Sequence, residues 1–138
     1  GEHMKKSADY LFEKFRHSNP LVIAAGIHDI GKYYTKKFVD SKGNPSDEAH
    51  YYGHENYGAY IFLVAQNYVV SNGDYECAKT DNYEQKTNLY IASLVNWHMR
   101  PHTAWKQSDN SRERDRKLIG EEMYHDIMLL HEADLAAH

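Results

Sequence analysis

A chain of 138 residues falls within the size of one domain and is long enough to bury a single hydrophobic core. Its formal charge is −4, with Lys and Arg not gathered into one block. This excludes the broad basic footprint of a long-duplex binder and leaves a small phosphorylated molecule or a nucleic-acid end as the anionic partner. No apolar stretch approaches the roughly 18 residues that cross a bilayer, and the N-terminus lacks a signal-peptide run. The lone Cys77 forms no internal disulfide, so the cytoplasm is the expected compartment.

In chain order, "GEHM" resembles the remnant of a cleaved expression tag, and a start so close to the first helix fits excision from a longer protein. The 3.6-residue period then predicts helices near 5–16, 21–32, 54–70, 87–99 and 117–136. Pro20 opens the second and Pro101 stands just past the fourth, as a residue without an amide hydrogen should. Between them run three polar loops, "DSKGNPSDEAH" (40–50), "SNGDYECAKTDNYEQ" (71–85) and "RPHTAWKQSDNSRERD" (100–115). No run alternates cleanly enough to predict a strand. The expected fold is an all-α, single-domain bundle of five to six helices.

The polar residues on these helices share stripes with apolar ones. His3 lines up with Ser7, Leu11 and Phe15, His28 with Leu21 and Ala24, and His54 with Ile61 and Ala65. His98 lines up with Leu94 and Val95, and Asp134 with Ile127 and Leu130. For any single one, a core histidine bonded to a backbone carbonyl is the ordinary role. Several together are different. An unpaired buried polar group costs about 1–3 kcal/mol, so four or five would consume most of a small domain's stability of about 5–15 kcal/mol unless they satisfy one another, as ligands of shared metal ions do. Imidazole and carboxylate suit Mn, Fe, Co, Ni or Zn.

Other features carry less. His17, His50, His102, His125 and His131 fall in loops or on mixed faces and are expected at the surface. Of these His102, with Arg100 across Pro101, is best placed to line a pocket. "HENYG" is not a zinc-protease motif, because Gly58 stands where the second His belongs. "RERDR" (112–116) reads as a solvated helix start. The dipeptide His-Asp occurs twice, at 28–29 and 125–126, and by itself tells nothing.

Four blocks in order are more specific: "AAGIHDIGK", "YYGHENYGAYI", "LVNWHMRPH" and "LHEADLAA". With them the sequence resembles the HD-domain superfamily of metal-dependent phosphohydrolases. The likeness is nearest to the HD domains of tRNA nucleotidyltransferases and RNA-end repair proteins, and it covers most of the chain. The resemblance implies an all-α HD-type bundle in which His28, Asp29 and Asp134 bind a divalent metal with His3 as the first ligand. It further implies that Asp29 bridges to a second ion held by His54 and His98. Many members carry a His pair where this chain has Trp97–His98, which weakens the second site. One or two ions of Mn, Ni, Co, Fe or Mg are expected.

Lys32 resembles the family's phosphate-facing lysine, and with Asp29, Arg100 and His102 it makes up the expected catalytic set. The implied activity is hydrolysis of phosphomonoesters or 2′,3′-cyclic phosphates of nucleotides or an RNA 3′ end, beside a fused or partner nucleotidyltransferase or kinase domain. The rivals are hydrolysis of dNTPs or alarmones, diiron oxygenation, and non-catalytic nucleotide sensing. His125–Asp126 has none of this context.

Overall fold

The computed structural model describes residues 1–15, 19–73 and 82–138; His17, Cys77 and the centre of the 71–85 loop lie outside them. Helix α1 (Glu2–Phe15) turns Ser7 and Leu11 inward. Helix α2 (Pro20–Ile27) begins at Asn19, whose side chain accepts the Val22 amide, and contains no charged residue. A helix apolar on every side must be covered on several, and α2 packs against α1, α5 and α8.

The helix expected over 21–32 stops at Ile27. Residues 28–31 tighten into turns closed by Ile30 N–H to Ile27 O and Lys32 N–H to Asp29 O, each 3.0 Å, before the single turn α3 (Lys32–Thr35). Packing explains the break. A Cβ on Gly31 would stand 2.0 Å from the carbonyl oxygen of His54 and 2.8 Å from the Gly58 nitrogen, so this turn rests directly on the backbone of α4 (His54–Gly73). The glycines of "HDIGK" and "HENYG" therefore serve one close contact.

The 40–50 segment is not a simple loop. Strands β1 (Lys37–Val39) and β2 (Pro45–His50) pair antiparallel, with Lys37 opposite His50 and Val39 opposite Pro45. The turn holds them together. Asp40 accepts the amides of Lys42 and Asn44, each at 2.9 Å, and Gly43 takes φ 84°. Both faces of so short a ribbon are largely solvated, so its sequence has no alternation to display.

Helix α5 (Asn82–Trp97) begins earlier than expected, and the 100–115 segment is mostly ordered turns: a 3-10 turn (Arg100–His102), α6 (Ala104–Gln107) and α7 (Asp109–Ile119). Helix α7 buries one residue, Asp115. It is set by its ends and not by an apolar stripe: Ser108 accepts the Ser111 amide, and Gly120, at φ 90°, closes it. "RERDR" lies inside it. Helix α8 (Glu121–Ala136) completes the bundle.

Among the described residues, six helices of two turns or more thus surround one core in which Leu11, Ile91, Leu94, Val95, Ile127 and Leu130 are fully or almost fully buried. Removing such a side chain to Cβ costs about 2–5 kcal/mol. Among the described residues no helix is long and apolar enough to cross a membrane.

Candidate metal centre

The inward stripes meet at one place. His28 and Asp29 come from the turn after α2, His54 from the first residue of α4, His98 from just beyond α5, Asp134 from the last turn of α8, and His3 from the first turn of α1. His28, His54, His98 and Asp134 are buried; Asp29 and His3 are partly so.

Hydrogen bonds fix which nitrogen of each buried histidine faces the centre. Nδ1 of His28 lies 2.8 Å from Ala25 O, Nδ1 of His54 3.0 Å from Tyr51 O, and Nδ1 of His98 2.6 Å from Val95 O. A carbonyl only accepts, so each Nδ1 carries the proton and each Nε2 turns a lone pair inward. This is the support that orients metal-binding imidazoles. It also leaves acceptors facing acceptors. Nε2 of His54 and Nε2 of His98 stand 3.3 Å apart, and they lie 3.2 and 3.5 Å from Asp29 Oδ1. Nε2 of His28, completely buried, has no hydrogen-bond partner, although Asp134 Oδ1 is 3.3 Å away. A divalent cation, or a proton on one of these imidazoles, would relieve such a set.

Dimensions agree with that. Two donor atoms each about 2.1 Å from one ion lie about 3.0–3.4 Å apart at right-angled to tetrahedral geometry. The His54–His98–Asp29 triangle has that size. The other carboxylate oxygen, Asp29 Oδ2, faces a second group: Nε2 of His28 at 3.6 Å and Nε2 of His3 at 3.9 Å. His3 Nε2 also lies 2.5 Å from Asp134 Oδ1. His3, His28 and Asp29 form one set that could hold an ion, and Asp29, His54 and His98 another. Asp29 is common to both.

Electrostatics favour ionised carboxylates here. Burial opposes the charge on Asp29, but the closeness of His54 and His98, with His28 and Lys32 beside them, holds it far below the usual carboxylate range. Asp134 is likewise held down, with His102, His28 and His3 outweighing its burial. Burial also works against a charged His28, and the two aspartates overcome it and raise that imidazole. At His98 burial prevails and lowers it.

The centre opens into a cavity of about 740 Å³ whose walls include His3, Asp29, Lys32, Tyr33, His102 and Asp134. Lys32 Nζ is 2.9 Å from Asp29 Oδ2 and sits over the Tyr51 ring. His102 donates from Nε2 to Asp134 Oδ2 at 2.7 Å. Arg100 is not drawn in. It covers the Trp97 ring, lies 3.9 Å from Asp115 and lines a separate cleft with Glu55 and Asn56.

His138 is the residue that sequence reasoning passed over. Its ring packs on His3, and Nε2 lies 4.0 Å from Asp134 Oδ1, making a third set of His3, Asp134 and His138. Spacing four from Asp134 was the available signal. His125 is exposed, whereas Asp126 accepts a hydrogen bond from Tyr90, so the second His-Asp pair joins α5 to α8 and takes no part in the centre.

Comparison of the chain with protein-family models, with curated proteins and with solved structures finds no match in any of the three. The functional class therefore rests on this cluster and on the sequence blocks that build it.

Proposed function

We propose that the protein is a metal-dependent phosphohydrolase of the HD type, acting on phosphomonoesters or 2′,3′-cyclic phosphates of nucleotides or RNA 3′ ends. The observation that carries this is the double-sided Asp29: one oxygen faces His54 and His98, the other faces His3 and His28. A carboxylate with imidazole lone pairs on both sides fits one or two divalent ions, and the resemblance to HD phosphohydrolases supports the same ligands.

A divalent ion bound there supplies Lewis acidity, lowering the pKa of water and polarising phosphoryl oxygens. The chain's own residues do the rest. Lys32 stands at the cavity edge beside Asp29 and offsets charge on the bound phosphate. His102 holds a proton on Nε2, directed by Asp134, and delivers it to the leaving oxygen as water adds to phosphorus and the ester bond breaks. In a cyclic phosphate the leaving oxygen stays on the ribose. The acidic chain offers no broad field for a long backbone, which favours a terminal phosphate.

The test is turnover of 2′,3′-cyclic AMP, 2′-AMP, 3′-AMP, dNTPs and p-nitrophenyl phosphate with Mn, Co, Ni and Mg in turn. Cyclic and monophosphate substrates are expected to react. Release of nucleoside and triphosphate from dNTPs, with the others untouched, would replace this reading with nucleotide-pool hydrolysis.

A further inference from the structure

Three buried side-chain nitrogens among the described residues have no hydrogen-bond partner. One, His28 Nε2, belongs to the metal centre. The other two, Arg112 Nε and His131 Nδ1, belong to residues of different helices, α7 and α8, that line the same cleft of about 360 Å³. Lys106 from α6 also lines it, and no carboxylate does. The acids nearest Arg112 are Asp109, 3.5 Å from Nη2, and Glu113, 3.7 Å from Nε, both too distant for good hydrogen bonds. A chain of net charge −4 has here gathered two cations and a histidine around unpaired nitrogens.

The cleft adjoins the metal centre. His102 lines both cavities, its Nε2 donating to Asp134 on one side and its ring meeting His131 edge-on at 4.6 Å on the other. Apolar side chains, Trp105 and Leu135 among them, complete the walls.

We propose that this cleft is a subsite for a second phosphate of the substrate, the one joined to the 5′ oxygen of the nucleotide whose scissile phosphate lies at the metal centre. The choice of phosphate over another oxyanion rests on the function proposed above; the anion site itself does not. Arg112 presents its guanidinium and Lys106 its ammonium to the phosphate oxygens, and the His131 ring forms the adjoining wall.

Two measurements test this. In the first, inorganic phosphate is titrated into the protein while the His131 ring resonances are followed by NMR, assigned with His131→Gln. A saturable shift is expected, weakened about fivefold or more in Lys106→Gln and in Arg112→Gln. Lys106 is exposed, so its variant remains informative if Arg112→Gln fails to fold. In the second, adenosine 2′,3′-cyclic phosphate is compared with the same compound bearing a 5′-phosphate. The added phosphate is expected to lower KM about tenfold in the wild type and less than about twofold in Lys106→Gln, with kcat/KM for the 5′-hydroxyl compound unchanged. A phosphate-dependent His131 shift lost in Lys106→Gln supports the subsite even where no phosphoester turns over, and then the proposed function alone fails. Turnover with no 5′-phosphate advantage, and with His131 unmoved by phosphate, overturns the subsite alone.

Discussion

Asp29 and Asp126 each follow a histidine, and their neighbours separate them. Asp29 stands among three lone pairs fixed by backbone carbonyls, while Asp126 receives one phenolic proton. Asp29→Asn preserves volume but removes the charge that both histidine groups share. Losing an outer-shell partner costs about 10–100-fold, so this variant is expected to lose more than about 100-fold in kcat and at least one equivalent of bound metal by elemental analysis. Asp126→Ala is expected to keep its metal and stay within about threefold in rate, at a cost of about 1 kcal/mol in stability. Equal losses of metal in both would count against the assignment of the centre to the first pair. Of the inward histidines, His28 leaves its buried Nε2 without a hydrogen-bond partner.

Elements determine whether those residues meet. The α3–α4 contact depends on Gly31, because a methyl group there would collide with the backbone of the residue that supplies His54. Gly31→Ala is expected to destabilise by about 3 kcal/mol and to reduce metal content, whereas Gly43→Ala, at positive φ with open space around it, is expected to cost about 1 kcal/mol and leave the metal intact. Urea unfolding with elemental analysis reads both. Helices α5 and α8 are tied by Tyr90 and Asp126. Burial, and then the adjacent carboxylate, push the Tyr90 hydroxyl above the ordinary tyrosine range. A group raised in the folded state stabilises fully below its unfolded value, about pH 10 here, and loses that contribution as pH rises through the folded value. The stability difference between wild type and Tyr90→Phe is thus expected to be constant from neutral pH to about 9 and to shrink above 10. A difference that grows over that range would contradict it.

At the scale of the whole molecule, the centre collects side chains from α1, the turn after α2, α4, the end of α5 and α8, so any ion bound there ties five parts of the chain together. Chelation is expected to lower Tm, and restoring free metal to about 100 times its Kd is expected to return about 2.7 kcal/mol. Differential scanning calorimetry across metal concentrations measures this. A Tm indifferent to Mn, Co, Ni and Mg would remove the metal centre from the account.

The sequence by itself determined the helical class and which faces turn inward. Helical period is a local property, and the stripes through His3, His28, His54, His98 and Asp134 are visible without any partner. Tertiary contact decided the rest. The helix over 21–32 breaks at Ile27 because Gly31 lands on the backbone of α4, a neighbour some 23 positions away that no local window contains. The 40–50 hairpin and α7 form with hardly any apolar face, one through the Asp40 turn and the other through its caps, so hydrophobic patterning had nothing to report there. His138 and Arg100 show the same division: spacing placed both near candidate ligands, and only packing turned His138 toward Asp134 and Arg100 onto Trp97.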